Sequence, residues 1–157
     1  MHARVEQVAA ALRAGGATGE IRELDASTRT AVEAGAALGV EVGAIVKSLV
    51  FTADDEPILV LASGDHQVDT AAVATVLGVA RVRRADADLV REVTGFVLGG
   101  VAPLGHPHPL RTVIDTHLAD FAAIWAAAGT SHAVFPTTYD ELLALTGGTP
   151  AEVGVRT

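Results

Sequence analysis

Residues 44–63 read AIVKSLVFTADDEPILVLAS. Two apolar, β-branched runs, 44–52 and 57–63, are separated by the short polar segment Ala53-Asp54-Asp55-Glu56, which is hairpin punctuation, so the runs are predicted to pair antiparallel. Around this hairpin the chain alternates helical and strand-like patterns. Upstream, Val5, Val8, Ala9 and Leu12 share one face of a helix over 5–14 that ends at Gly15-Gly16, and the strand-like EIREL follows at 20–24. Thr30 and Glu33 then form a capping-box pair ahead of an alanine-rich helix that stops at Gly39. Downstream, Asp69 caps TAAVATVL with Gly78 as its stop. VARVR (79–83) reads as a strand before a short helix from Asp86 to Val93, and LRTVID (110–115) as a further strand. Thr138 and Glu141 make a second capping box ahead of LLAL, closed by Gly147-Gly148. The expectation is a mixed α/β fold, with a largely antiparallel sheet and helices packed around it, in one domain spanning 1–157. One segment, DFAAIWAAAG (120–129), is helical by propensity, because five of its ten residues are alanine.

Composition excludes several chemistries. Cysteine is absent, which removes disulfides, thiolate nucleophiles and zinc–thiolate sites. No apolar run approaches bilayer length and the N-terminal stretch reads as an amphipathic helix rather than a secretory signal, so a soluble, cytoplasmic protein without membrane contact is expected. A formal net charge of -8 opposes broad binding to DNA or RNA, whose affinity comes from cations that displace phosphate counterions. A local footprint is conceivable where Arg81, Arg83, Arg84 and Arg91 gather, although Asp86 and Asp88 dilute it, and a solvated strand end is the plainer reading.

Two features carry chemical interest. Lys47 is the only lysine beside ten arginines, and strand alternation puts it on one face with Ile45, Leu49 and Phe51, opposite Val46, Ser48 and Val50. An ammonium on an apolar face either points into a polar pocket or lays its stem over apolar surface with its head in water. The second feature is FVLGGVAPLGHPHP (96–109), flanked by segments that read as apolar strands. Gly99, Gly100 and Gly105 let backbone amides approach a ligand, Pro103 stiffens the ribbon, and such amides can hold a developing oxyanion. A simple tight turn is the alternative. His106 and His108, with Asp115 and His117 close behind, could bind a transition metal, but the recurring zinc spacings are missing. Ser63 is not in a nucleophile elbow.

In order, AALGVEVGAIVKSLVF, TGFVLGGVAPLGH, RTVIDTHL and AAAGTSHAVF followed by ELLALTGG resemble the YbaK/ProX family of aminoacyl-tRNA deacylases, which is also the editing domain inserted in bacterial prolyl-tRNA synthetases. The resemblance runs from Thr30 to Gly148 and places AIWAAAG on a strand, against its propensity. It implies trans-editing: hydrolysis of the ester joining a wrong small amino acid, such as Ala, Cys or Ser, to the 3′-terminal adenosine of a tRNA, with no cofactor. It further implies that Lys47 lies near the ester and terminal nucleotide, that the loop from Gly99 and Gly100 to Pro103 presents amides to the acyl group, and that water assisted by the ribose hydroxyl attacks. Ser48, Val101, Ala102, Asp115, Gly129, Ser131 and His132 are the implied substrate-binding positions. The implied partners are a tRNA acceptor end and a delivering synthetase. Two other readings stay open: a module that binds an aminoacyl end or a synthetase without turnover, and a metal-dependent hydrolase built on His106, His108, Asp115 and His117.

Overall fold

In the computed structural model, which describes residues 2–157, the hairpin forms as expected and everything else is laid against it. Strands β2 (Ile45–Ala53) and β3 (Glu56–Ser63) pair antiparallel from Val46↔Ser63 to Ala53↔Glu56. Asp54 and Asp55 take φ values of 47° and 71°, the backbone of a two-residue turn whose twist matches a hairpin. The Asp54 carboxylate accepts from the amides of Ala80 and Arg81 at 3.1 and 2.9 Å, which fixes the approach of strand β5 (Val82–Arg84).

The sheet runs β1 (Arg22–Glu23), β8 (Ala133–Thr137), β7 (Ile124–Ala127), β2, β3, β6 (Arg111–Asp115), β9 (Thr149–Ala151), with β5 also on β2. A separate ribbon pairs β4 (His66–Val68) with β10 (Gly154–Arg156). Five of the eight pairings are antiparallel; β2–β7, β3–β6 and β6–β9 are parallel. This is the mixed, mostly antiparallel sheet expected. Ile124–Ala127 is a strand despite its alanines, because Ile124 and Ala126 alternate into the core between β2 and β8. Two expectations need correction. The segment before the Gly/Pro loop is not a strand, and residues 95–110 are irregular throughout. Strand β8 and the three-residue strands β4, β9 and β10 have no counterpart in the sequence reading.

Five helices surround the sheet: α1 (Ala3–Ala14), α2 (Ala31–Leu38), α3 (Thr70–Leu77), α4 (Ala87–Thr94) and α5 (Tyr139–Thr146). Thr30, Asp69, Asp86 and Thr138 cap the last four, each accepting from an amide of the first turn, and left-handed Gly39, Gly78, Gly95 and Gly147 end them. The capping boxes are only half closed. Glu141 reaches instead to the Thr137 hydroxyl at 2.6 Å, tying α5 to the end of β8.

Two apolar cores result. Val46, Val50, Leu59 and Leu61 pack with α1, Phe96, Ile114 and Phe135 on one side. Phe51, Ile58 and Val60 pack with Val73 and Leu77 of α3 on the other. The alternation read from β2 is thus realised, with each face buried in a different core. Among the described residues no helix is long and apolar enough to cross a membrane.

Candidate functional site

The site originates in a break in the sheet. One edge of β2 pairs with β3 along its length, whereas the other edge meets β7 only at Ile45 and Val46 and β5 only at Phe51 to Ala53. The Val50 carbonyl is still used, accepting from Ala85 at 3.1 Å. Between these two contacts the edge at Lys47, Ser48 and Leu49 has no strand partner, and a cavity of ≈ 340 Å³ opens there. Because the gap passes through the sheet, residues from both faces of β2 line it.

Lys47 is half-buried and its ammonium donates to the His66 carbonyl on β4. Burial pushes its pKa down and the Arg84 charge adds to that, while the carboxylates of Asp115 and Asp65 push it back up. The lysine therefore sits at a pocket, not with its head in bulk water. Ser48 beside it has a buried hydroxyl with no hydrogen-bond partner among the described residues. A buried polar atom without a partner is uncommon and costs about 1–3 kcal/mol. With nothing to take its proton, Ser48 is not an activated nucleophile, and Ser63 spends its own hydroxyl on the Gly43 carbonyl away from the cavity.

Part of the lining comes from the Gly/Pro loop. It is anchored at its start by Phe96, fully buried, whose amide donates to Thr94 Oγ1 at 3.0 Å, and at its end by Gln7 of α1, which donates to the Gly105 carbonyl. His106 Nε2 bonds the Ala102 carbonyl at 2.8 Å and its ring packs edge-on against Phe96. Within this frame Gly99 and Val101 line the cavity. Their amides make no hydrogen bond among the described residues, while the Gly100 amide is spent on the Val97 carbonyl at 3.0 Å. Gly99 has φ +88°, and a Cβ there would fall 2.6 Å from Arg29 Cγ. Gly100 is needed for packing, since a Cβ would meet the Thr130 Cα at 2.8 Å.

The remaining predicted positions lie outside the lining. Gly100, Ala102 and Pro103 are buried positions of the loop that do not line the cavity. Gly129 turns with φ +105° against the Arg4 carbonyl of α1. Ser131 and His132 act one step removed: the Ser131 carbonyl accepts from the Thr28 amide at 2.7 Å, His132 Nδ1 bonds the Ala26 carbonyl at 3.2 Å, and Thr28 in turn lines the cavity. Asp115 is buried at the end of β6, where it accepts from the Ser63 amide at 3.1 Å and bonds His66 Nδ1 at 2.8 Å, in a second cleft. The grouping of His106 and His108 with Asp115 and His117 does not form, because His106 is turned onto Ala102 and Phe96.

Three lining residues went unread or undervalued in the sequence. Arg29 and Arg84 join Lys47 to give the cavity three cations and no carboxylate, so a chain of net charge -8 carries one concentrated positive spot. Trp125, the only tryptophan, lies in the wall with the Arg22 guanidinium 5.0 Å over its ring. The Arg84 signal was present in the arginine cluster at 81–91. Arg29 and Trp125 come from a loop and from a strand whose neighbours only the fold reveals.

A concave cavity at a break in a mixed sheet, lined by three cations and part of a glycine-rich loop, is a site suited to a small anionic ligand. Residues 25–145 match the family model described as the aminoacyl-tRNA editing domain, and the chain belongs to that family. Among solved structures it is similar to one described as a candidate trans-editing enzyme for prolyl-tRNA synthetase, with TM-score 0.92, 42% identity and 99% of each chain covered. Among curated proteins it is 31% identical over 124 residues to the uncharacterized protein YwhH of Bacillus subtilis, covering 78% of each chain. It is also 43% identical over 71 residues to the proline–tRNA ligase of Lactobacillus gasseri, covering 45% of this chain and 13% of the ligase.

Proposed function

We propose that the chain hydrolyses, in trans, the ester between a small amino acid and the 3′-terminal ribose of a mischarged tRNA. The observation that carries this reading is that Lys47, Gly99 and Val101 line one cavity and that the Gly99 and Val101 amides have no hydrogen-bond partner among the described residues. The reacting ester sits between them. Water adds to the carbonyl carbon, assisted by the neighbouring ribose hydroxyl, and the carbonyl π electrons move onto oxygen. The Gly99 and Val101 amides stabilise that oxyanion; one such donor is typically worth about 10²–10³-fold in rate. Collapse breaks the bond to the ribose oxygen, which takes up the proton, and releases the free amino acid.

The surrounding residues suit the substrate. Lys47, Arg29 and Arg84 hold the terminal phosphate and ribose, and the face of Trp125 offers the adenine a stacking surface. The floor of Val46, Ala126 and Val134 leaves room for a short side chain, which favours alanine, serine or cysteine over larger residues. The orphaned Ser48 hydroxyl gains a partner when a polar aminoacyl end enters. Similarity to a candidate prolyl-tRNA synthetase trans-editing enzyme supports tRNA for proline as the carrier and a synthetase as the donor of substrate.

The test is deacylation of tRNA charged with Ala, Cys, Ser or Pro. Release of at least one small amino acid well above the buffer rate is expected. Binding of those tRNAs without release from any would instead make the chain a recognition module.

A further inference from the structure

We propose that Asp65, His66 and His117 form a binding site for a first-row divalent transition ion such as Zn²⁺, separate from the ester cavity. One ligand atom from each of the three lies within 4.8 Å of the others. A tetrahedral ion with bonds of about 2.0–2.1 Å needs its ligands roughly 3.4 Å apart, so the His66 and His117 rings, near-parallel with an interplanar angle of 14°, must open from their stack for both Nε2 atoms to turn to it.

The outer ring of contacts is what distinguishes this cluster from a chance gathering. Asp115, 1% exposed, bonds His66 Nδ1 at 2.8 Å, and Asp120 bonds His117 Nδ1 at 2.9 Å. Each carboxylate fixes its imidazole with the proton on Nδ1 and leaves Nε2 as the electron-pair donor, the arrangement in which ligating histidines are normally held. His117 Nε2 already points at the Asp65 carboxylate, 3.2 Å away. A cation between them takes the Nε2 lone pair and a carboxylate oxygen as ligands.

The backbone is shaped around the same side chains. A Cβ at Gly154 would lie 2.1 Å from His66 Nδ1, and one at Gly43 would lie 2.8 Å from Asp65 Oδ2. Phe121 packs edge-on against His117, with ring centroids 5.4 Å apart, and the His66 and His117 rings stack at 4.2 Å. His66 and His117 border a cleft of ≈ 330 Å³ that Glu152 also lines, with Asp65 beside them but outside its lining. Two neutral imidazoles and one carboxylate suit Zn²⁺, Co²⁺ or Ni²⁺ and not Mg²⁺. Bound there, the ion ties the β3–β4 turn to the 116–120 segment, and His66 is the residue whose carbonyl holds Lys47.

Titration of tag-free protein with Zn²⁺ by calorimetry, and with Co²⁺ by visible absorption, tests this. One-to-one binding is expected, with a raised thermal midpoint and ligand-field bands in the cobalt form. His117→Gln should weaken binding more than tenfold and the exposed-side Asp120→Asn by about tenfold, while His108→Gln leaves it unchanged and Mg²⁺ gives no heat. Absence of stoichiometric binding, or equal affinity in wild type, His66→Gln and His117→Gln, overturns the site.

Discussion

Lys47 illustrates why a single charged side chain on an apolar strand has to be argued with its neighbours. Its cost of burial is only partly met by the His66 carbonyl, so replacing it by alanine should leave the thermal midpoint unchanged or raise it. Deacylation by Lys47→Ala should fall by about 10²-fold, the cost of a misplaced substrate, read as single-turnover release of amino acid. Lys47→Arg should not restore it, because a planar guanidinium cannot occupy the place of a compact ammonium. His106 gives a second test at this scale. Burial lowers its pKa, against the opposing pull of the Ala102 carbonyl, and with Nε2–H donating to that carbonyl the folded ring is neutral. Above the ordinary value of 6.5 neither the folded nor the unfolded ring carries a proton, so the group contributes no pH dependence there. Below it the unfolded chain takes up a proton that the folded ring resists, and stability falls as pH drops towards the depressed folded pKa. Urea midpoints measured between about pH 6.5 and 5 should therefore decline less in His106→Gln than in wild type. Equal declines would mean the ring protonates freely in the folded state.

At the scale of elements, what could be read in advance was what is local. The helix caps at Thr30, Asp69 and Thr138, the stops at Gly39, Gly78 and Gly147, and the Asp54-Asp55 hairpin each depend on residues within a few positions, and all are present. The parallel pairings β2–β7 and β3–β6 join residues far apart in sequence, and the gap between β7 and β5 that makes the cavity exists only because both stop short on β2. No local pattern encodes such a gap. The apolar run before the Gly/Pro loop misled for a related reason: Phe96 alone enters the core, while Val97 and Leu98 are 36% and 46% exposed and Leu98 forms the cavity rim. The loop itself can be tested with a matched pair. Gly99→Ala carries the strain of a positive φ, about 1–2 kcal/mol, and also drives a methyl into Arg29. Gly147→Ala carries similar strain at φ +63° with nothing within 4 Å. Both should lose stability in denaturant melts, Gly99→Ala the more because of the added contact with Arg29, but only Gly99→Ala should lose deacylation, by more than tenfold. Equal activity in the two variants would separate the loop from the chemistry.

Across the whole molecule, the proposed function requires an acidic chain to hold one end of an RNA. A net charge of -8 repels an RNA body, while Lys47, Arg29 and Arg84 attract one end of it. With three phosphate-competent cations, log K for tRNA against log salt should have a slope no steeper than about -2, the value for three contacts on single-stranded nucleic acid. A much steeper slope would require an additional basic surface. Under the proposed function such a shallow slope would make delivery by a synthetase useful, and the second cleft, bordered by His66 and His117, lies outside the ester cavity. The most direct measurement of the central claim is the structure of the complex with a non-hydrolysable amide analogue of 3′-alanyl-adenosine. The account predicts its carbonyl oxygen within hydrogen-bond distance of the Gly99 or Val101 amide, with Lys47 at the ribose and the adenine on Trp125. An analogue seated in the Asp115 cleft, or one turned with its carbonyl away from the loop, would contradict it.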